Sequence, residues 1–438
     1  MNSELETTRL NILDELYLHL DREDEPWTVH LEIRVEGRID VSRLRTAVRD
    51  AASRHPIARA RLADSRVTDV RYQWEIAEGL DGGEIDLEEL ECAAPDDLPA
   101  ARERLLSRTP SLKQHGPFSL LLAHHPEGDV VALNLHHAAG DGLAALRLMA
   151  SIARAYAGEE DPLPPVDPLE VRDVGALSAA GSVKERIARG RAALDYVARG
   201  VSSPARLARE ADGDRAGYGF EQLVFEPDAV ERIVGRRSGG ATVNDVLLGG
   251  LALAIRRWNE QHKELTGSVY LMMPINLRPR EWQYEVVGNF ASYVSVRLGA
   301  GDHTTLDDAI AAAAASTKRI KEGGIAGLIV ELFGAPALLP TGLKRRMQDL
   351  IPLTGNVVVD TAVLSNLGRV DTVPHLGDAG AVQEVWFSPP GRMPLGASLG
   401  VVTLDERLFM TLRYRHSLFH AGAAAEFLAT LKRALLEL

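Results

Sequence analysis

The sequence of 438 residues contains a single cysteine, Cys92, so no disulfide can form within the chain and no thiolate cluster can hold a metal. An excess of basic residues is also missing, because 49 Lys and Arg stand against 62 Asp and Glu, a formal net charge of −13. A general nucleic-acid binder needs a basic surface to contact phosphates. The charge balance therefore argues against that class, and we expect no nucleic-acid partner.

Long apolar runs are absent as well. No uninterrupted apolar stretch reaches the length of a membrane helix, so we expect a chain that does not span a membrane. The first ten residues, MNSELETTRL, lack the basic and apolar regions of a signal peptide. Together with the lone cysteine, which fits a reducing compartment, these absences predict a cytoplasmic protein.

One stretch carries chemistry: residues 130–142 read VVALNLHHAAGDG. The apolar run Val130 to Leu135 predicts a strand that is buried on both faces, and the pattern after Gly142 predicts a helix from Leu143 to Ala157. Adjacent side chains on a strand point to opposite faces. Only one of His136 and His137 can therefore face a cavity while the strand continues.

Imidazole has a pKa near neutral and is the usual general base of enzymes, so these histidines are candidates for that role. Two alternatives stay open on the residues alone. A histidine can be purely structural, and histidines with a carboxylate such as Asp141 can bind a metal. Adjacent histidines on a strand cannot easily chelate one ion, however, so we expect no metal here.

Residues 136–142, HHAAGDG, match the HHxxxDG signature, and the chain thereby resembles the condensation-domain and coenzyme A-dependent acyltransferase superfamily. That superfamily includes peptide-synthetase condensation domains, wax ester synthases, polyketide-associated acyltransferases and chloramphenicol acetyltransferase. Further similar blocks follow the family's order along nearly the whole chain: RHP at 54–56, TVND at 242–245, NLRP at 276–279 with GN at 288–289, and SNLGRV at 365–370.

The resemblance implies an α/β fold of two chloramphenicol-acetyltransferase-like halves, which form a V-shaped pseudo-dimer with a tunnel between them. Residues 158–168, GEEDPLPPVDP, are rich in proline and charge and predict a linker. We therefore expect one half at residues 1–165, which carries HHxxxDG, and a second half at residues 166–438, which completes the tunnel.

The resemblance also implies roles for single residues. His137 is the expected general base, while His136 points into the protein. Asp141 is expected to form a salt bridge that shapes the turn, and Arg278 is its candidate partner. The backbone N–H of Gly142 is a candidate oxyanion donor, because it lies at a helix N-terminus. Two further residues are expected to line the tunnel and contact substrate: Ser365 and Asn366.

The implied function is that of a free-standing acyltransferase, in natural-product or lipid biosynthesis. It would move an acyl group from a thioester, either acyl-coenzyme A or an acyl-phosphopantetheine carrier protein, to a small-molecule amine or alcohol. We expect no bound cofactor. The plant-type Asp-Phe-Gly-Trp-Gly block is missing, which argues against that branch. The alternative is a non-catalytic relative that binds a carrier protein or recruits a partner enzyme.

Other candidates receive structural interpretations. His55, at the end of a predicted helix, is expected to be structural. His124 and His125 lie in the turn HHPEGD and are expected at the surface. The basic run GLKRRMQDL at 342–350 predicts a solvated helix face, with docking of an acidic partner as the alternative. Val357 to Leu364 predicts a strand.

Local patterns predict several further elements. Strands are expected at Thr28 to Val35 and at Phe118 to Ala123, and the apolar stripe of Leu10 to Leu20 predicts a helix. Thr242, with Asp245 three residues later, is a candidate N-cap of a helix.

Overall fold

The computed structural model describes residues 6–80, 85–114, 116–198, 204–211, 213, 215–334, 339–347, 359–370 and 375–437. Residues 348–350 of the basic run and 357–358 of the predicted strand lie outside these ranges. Within them, no helix combines the length and the apolar character that crossing a membrane requires.

A five-stranded sheet holds the strand that leads to the histidine pair. In spatial order its strands are Val382–Ser388 (β12), Thr28–Val35 (β2), Val130–His136 (β7), Phe118–His124 (β6) and Leu87–Glu91 (β5). Alternating apolar residues of β2, such as Val29, Leu31 and Ile33, are at most 1% exposed, which explains why this segment forms an internal strand. Helices Val41–Arg54 (α2) and Gly142–Ala157 (α4) share its hydrophobic core.

A six-stranded sheet is the centre of the second part of the chain. Its strands, in spatial order, are Ala291–Leu298 (β10), Val269–Asn276 (β9), Ala362–Arg369 (β11), Ala397–Leu404 (β13), Arg407–Arg415 (β14) and Tyr218–Phe225 (β8). The helices that pack with it are Pro227–Gly235 (α7), Val243–Gln261 (α8), Leu306–Glu322 (α9) and Ala421–Leu436 (α12). Thr242 caps α8 in a capping box with Asp245, as the sequence predicts.

The remaining elements are shorter or lie at the edges of these two bodies. A small antiparallel sheet consists of Glu6–Arg9 (β1), Gln73–Ile76 (β4) and Ala60–Leu62 (β3). The other helices are Ile12–Leu20 (α1), Asp97–Leu106 (α3), Val174–Leu177 (α5), Val183–Ala198 (α6), Leu328–Gly334 (α10) and Thr341–Met347 (α11). A separate apolar cluster joins α1 to the segment before β10 through Tyr17 and Phe290.

One strand from the second part of the chain belongs to the first sheet. β12 pairs with β2 in antiparallel register, with Phe387 opposite Leu31. Where β12 passes over β13, a Cβ at Gly400 would lie 1.9 Å from the carbonyl oxygen of Phe387. The two parts of the chain are therefore interlocked by a close backbone crossing. The boundary at residue 165 stays a prediction.

Sequence patterns located most of the central elements. β2 spans the predicted Thr28–Val35, and α4 begins one residue before the predicted Leu143. Three strands, β1, β5 and β12, were not predicted from the sequence. β1 is only four residues long, and β5 and β12 are the two edge strands of the five-stranded sheet.

The histidines outside the signature differ in outcome. His55 is structural as expected, because it is 1% exposed and its Nε2 lies 2.7 Å from Oγ of Ser151. The surface prediction is wrong for His124, which is 4% exposed. β6 runs one residue further than predicted, and this turns the ring inward, where Nδ1 lies 2.6 Å from Oδ2 of Asp129. His125 is half-buried.

The crossing at Gly400 generates a stability prediction. We expect Gly400→Ala to lower the free energy of unfolding by about 3 kcal/mol, because the methyl group meets backbone that cannot move aside. Urea denaturation measures the change. Gly267→Ala is the matched control, since a Cβ there has no neighbour within 4 Å, and its effect should stay within about 0.5 kcal/mol. Equal stability of the two variants would contradict the crossing.

Candidate active site

The HHAAGDG stretch forms a strand end, a short turn and a helix start. β7 ends at His136, and α4 begins at Gly142. The backbone N–H of His137 donates to the carbonyl of Trp27 at 3.0 Å, so the first residue of the turn is anchored to the segment that precedes β2. The position of the His137 side chain therefore follows from the sheet itself.

Gly140 and Asp141 close the turn. At Gly140 a Cβ would lie 2.7 Å from Cδ2 of Leu135 and 2.9 Å from Cβ of Ala144, so the close approach of strand and helix requires a residue without a side chain. Asp141 is the N-cap of α4, and its Oδ1 accepts the N–H of Ala144 at 3.0 Å. The helix therefore starts at a fixed distance from the histidines.

Both carboxylate oxygens of Asp141 also bind the second part of the chain. Oδ2 accepts from Nη1 of Arg278 at 2.7 Å and Oδ1 from Nη2 at 3.0 Å, while the N–H of Phe290 donates to Oδ2 at 2.9 Å. Burial alone would raise the pKa of Asp141, but the Arg278 charge and these hydrogen bonds hold that pKa below its ordinary value. Asp141 is therefore an ionised structural group.

Arg278 has further partners. Its Nη2 donates to the carbonyl of Gly288 at 2.8 Å, its Nη1 lies 3.2 Å from Oδ1 of Asn276, and its guanidinium carbon lies 4.5 Å from the centre of the Phe290 ring. The side chains of Arg278 and Asp141 are 0% and 3% exposed. The two candidates thus form a bidentate ion pair that is buried and hydrogen-bonded on both sides.

The two histidines of the signature face different surroundings. His136 is 2% exposed, its Nδ1 accepts the N–H of Ala138 at 3.1 Å, and its Nε2 lies 3.7 Å from Oδ2 of Asp21. Both ring nitrogens are thereby directed at protein groups. These contacts tie the turn to the residue that follows α1, so His136 serves the structure of the turn.

His137 is positioned by ring stacking and by hydrogen bonds to its backbone. Its ring stacks on the ring of Tyr17, with centroids 4.0 Å apart and an angle of 24° between the planes. Nδ2 of Asn289 donates to the carbonyl of His137 at 2.9 Å. His137 is 9% exposed, and its buried Nδ1 has no hydrogen-bond partner of normal geometry among the described residues. Its orientation is therefore set by stacking and by backbone contacts.

Burial determines the protonation of His137. Removal from water lowers the pKa of His137 to about 4, an effect that the His137 carbonyl and the Asp141 carboxylate only partly offset. At pH 7 the imidazole is therefore neutral and has a lone pair that can accept a proton. The same environment opposes formation of a long-lived imidazolium ion.

The other candidates lie on or against the start of α4. At Gly142 a Cβ would lie 2.6 Å from Cδ2 of Leu367 and 2.8 Å from Cε2 of Phe387, so β11 and β12 both reach the first turn of that helix. Ser365 is 6% exposed and Asn366 is partly buried, and both belong to β11. Their contact with substrate and the oxyanion role of Gly142 stay predictions.

Sequence analysis missed two residues that hold His137. Tyr17 counted only as part of the apolar stripe of α1, and no local pattern indicates that its ring stacks on a residue 120 positions away. Asn289 had a signal, because the pair Gly288–Asn289 belongs to a recognised block, but the block gave it no role. Both contacts depend on tertiary structure.

The ion pair of the site generates a stability prediction. Arg278→Met leaves the Asp141 carboxylate buried without a counter-charge, so we expect a loss of about 3–5 kcal/mol in the free energy of unfolding. The double variant Asp141→Asn/Arg278→Met should lose clearly less than the sum of the two single variants. Arg104→Met is the control, because its ion pair with Glu88 is exposed and worth about 1 kcal/mol or less. Additive losses in chemical denaturation would contradict the coupling.

Comparison with curated proteins finds a close relative. The uncharacterized protein Rv2305 of Mycobacterium tuberculosis (strain H37Rv) is 38% identical over 408 residues, which covers 90% of this chain and 91% of that protein. Malformin synthetase mlfA of Aspergillus niger (strain CBS 513.88) is 29% identical over 136 residues, which covers 31% of this chain and 2% of the synthetase. The first relative therefore matches over about nine tenths of both chains, and the second only locally.

Solved structures share the fold at low sequence identity. The first condensation domain of the calcium-dependent antibiotic synthetase, in complex with a substrate analogue, superposes with a TM-score of 0.69 and 13% identity over 99% of this chain and 97% of that one. The SgcC5 protein from Streptomyces globisporus gives 0.67 and 16% over 98% of each chain. The epimerization domain of tyrocidine synthetase B gives 0.66 and 14% over 98% and 96%. These likenesses confirm the predicted α/β fold with two chloramphenicol-acetyltransferase-like halves.

The model of the condensation-domain family itself matches residues 16–328, a span that contains the histidine pair, Asp141 and Arg278. Members of this family are typically acyl or peptidyl transferases. On the length of this match, and on the full-length relative, the chain belongs to the condensation-domain family.

Proposed function

We propose that this protein is an acyltransferase, in which His137 acts as the general base for attack of an amine or alcohol on a thioester. The observation that carries the proposal is the state of this imidazole, which is neutral at pH 7 and fixed by Tyr17 at the end of β7. A thioester is already activated, so the protein has little more to do than remove one proton and stabilise the oxyanion.

The steps balance with the residues at hand. Nε2 of His137 accepts the N–H or O–H proton of the acceptor as its heteroatom bonds to the thioester carbonyl carbon. The tetrahedral oxyanion accepts a hydrogen bond from the N–H of Gly142, the first helical residue of α4, which has no partner within that helix. The intermediate collapses, the C–S bond breaks, and the imidazolium returns its proton to the leaving thiolate.

Asp141 takes no proton in this scheme. Its Oδ1 accepts from Ala144 and Arg278, and its Oδ2 accepts from Phe290 and Arg278, so both oxygens already have two donors. A carboxylate in this state cannot orient the imidazole as the aspartate of a serine-protease triad does. We assign Asp141 and Arg278 to shaping the turn that presents His137 and Gly142.

The family supports one class of acyl donor. Condensation domains work with thioesters on carrier proteins, and we propose such a donor or acyl-coenzyme A for this chain. The two reactants would meet in a tunnel between the two halves, lined in part by Ser365 and Asn366. The contact of Leu367 and Phe387 with Gly142 supports this arrangement, since it brings β11 and β12 to the start of α4. Products of natural-product or lipid biosynthesis fit such chemistry.

The first test is loss of the base. We expect His137→Ala to reduce kcat by about 10²–10⁴-fold, because the variant lacks the base to which the proposal assigns the acceptor proton. Mass spectrometry detects the products of incubations with panels of acyl-coenzyme A and acyl-carrier thioesters and of amine and alcohol acceptors. His125→Ala, at the half-buried turn, is the control and should keep full activity.

Two outcomes would overturn the proposal. Undiminished activity of folded His137→Ala would remove this residue from the chemistry. No product from the wild-type protein with any member of the panel, while it still binds a carrier protein, would favour the non-catalytic alternative.

The second test uses pH. Only the neutral imidazole accepts a proton, and the pKa of His137 is about 4, so kcat/KM should stay flat from pH 8 to about pH 5 and fall below that. Tyr17→Ala admits water to the ring and should move the inflection up towards the ordinary histidine value of about 6.5. Tyr17→Phe keeps the stacking and should leave the profile unchanged. An inflection near 6.5 in the wild-type protein would contradict a buried base.

A further inference from the structure

A cavity of about 410 Å³ lies between the start of α1 and the segment before α5. Leu10, Ile12 and Val174 give it apolar wall, and Arg9, Arg71 and Arg172 give it guanidinium groups. Its volume is within the range of pockets that hold small molecules. None of the candidate catalytic residues lines it, so the cavity is a feature separate from His137.

Arg172 is a buried cation in the wall of this cavity. It is 5% exposed and forms an ion pair with Asp14 through Nη2, yet its Nε and Nη1 are buried and have no hydrogen-bond partner among the described residues. Oδ2 of Asp14 also accepts the N–H of Asn11 at 3.0 Å and Nε1 of Trp74 at 3.2 Å, while Oδ1 of Asp14 is buried without a hydrogen-bond partner among the described residues. Buried donors without partners are costly, so this guanidinium is suited to a further acceptor.

The charges around the cavity favour an anion. Of its two acidic lining residues, Glu15 is paired with Nζ of Lys344 at 2.6 Å. Asp173 is exposed, and its Oδ1 accepts the N–H of Ala176 at 3.0 Å, a contact that does not neutralise a carboxylate. Arg9 and Arg71 are exposed, and neither forms an ion pair with a residue in the described part of the chain. The two arginines outweigh Asp173, so the net charge at the entrance is positive, although the whole chain carries −13.

We propose that this cavity binds a small molecule through an oxyanion, a carboxylate or a phosphate. Arg172 contacts the anionic group, Arg9 and Arg71 attract it to the entrance, and the apolar part of the ligand packs on Leu10 and Val174. Guanidinium groups suit both oxyanions, because their N–H fork matches two oxygens at once.

The site is connected to the candidate active site through hydrogen bonds. Asn11, which lines the cavity, donates from Nδ2 to the carbonyl of Asn289 at 3.0 Å, and Asn289 donates to the carbonyl of His137 at 2.9 Å. An occupant therefore contacts a residue two hydrogen bonds away from the strand end that carries the proposed base. Binding itself does not require that the protein transfers acyl groups.

Isothermal titration calorimetry of the full chain tests the proposal with two probes. Pyrophosphate represents the phosphate source, and hexanoate represents a carboxylate with an apolar tail. We expect one of them to bind, with affinity that falls as NaCl is raised. The double variant Asp14→Asn/Arg172→Gln keeps the net charge but removes the guanidinium, and it should weaken binding at least tenfold. Arg9→Gln/Arg71→Gln should weaken it less and flatten the salt dependence.

A steric variant covers the case in which the double variant does not fold. Among the described residues, a Cβ at Gly334 meets only Cδ1 of Ile12, at 3.9 Å, so the side chain of Gly334→Val narrows the cavity and should weaken binding at least tenfold. Arg49→Gln, on the exposed face of α2, is the control and should bind as the wild type does. Absence of binding by both probes, or equal binding by Gly334→Val, overturns the proposal whatever the transfer assays give.

Discussion

The bidentate ion pair of Asp141 and Arg278 is the contact on which the arrangement of the candidate site depends. It joins the start of α4 to a segment 137 residues later, and both side chains are almost fully buried. Buried charges are tolerated only when their hydrogen-bonding capacity is used. Here the N–H groups of Ala144 and Phe290 and the carbonyl of Gly288 use most of it, although Nε of Arg278 has no partner among the described residues. One ion pair therefore holds the start of α4 against the segment that leads into β10.

The pair was predicted from the family resemblance, whereas the strands and helices around it were predicted from local hydrophobic patterns and capping residues. The apolar run of β7, the alternation of β2 and the capping residues of α8 are all local sequence patterns, and the structure contains the three elements that they predict. No local sequence pattern indicates that Asp141 pairs with Arg278, because the two residues lie 137 positions apart in the chain. The pairing was predicted only because the Asn-Leu-Arg-Pro block resembles a block of the family.

The contacts that sequence reasoning missed are all tertiary. The sequence of β12 does not indicate that it pairs with β2, more than 340 residues earlier in the chain, and no local pattern indicates that the ring of Tyr17 covers His137. The error at His124 has the same origin, because a one-residue extension of β6 reverses the direction of a side chain. The hydrophobic periodicity of a segment indicates which of its faces is buried, but which residues cover that face depends on the tertiary structure.

The depressed pKa of His137 has two opposite consequences for the proposed chemistry. Burial keeps the imidazole neutral at pH 7, so every molecule carries the basic form, but a base with a pKa of about 4 is weak. A weak base suffices when the electrophile is already activated and the proton is held only until the thiolate leaves. Because Asp141 is saturated by Arg278 and two backbone N–H groups, it does not stabilise the imidazolium as a free carboxylate would. In the proposed mechanism, the buried pair therefore favours acyl donors with good leaving groups, which is the property that distinguishes thioesters from amides and ordinary esters.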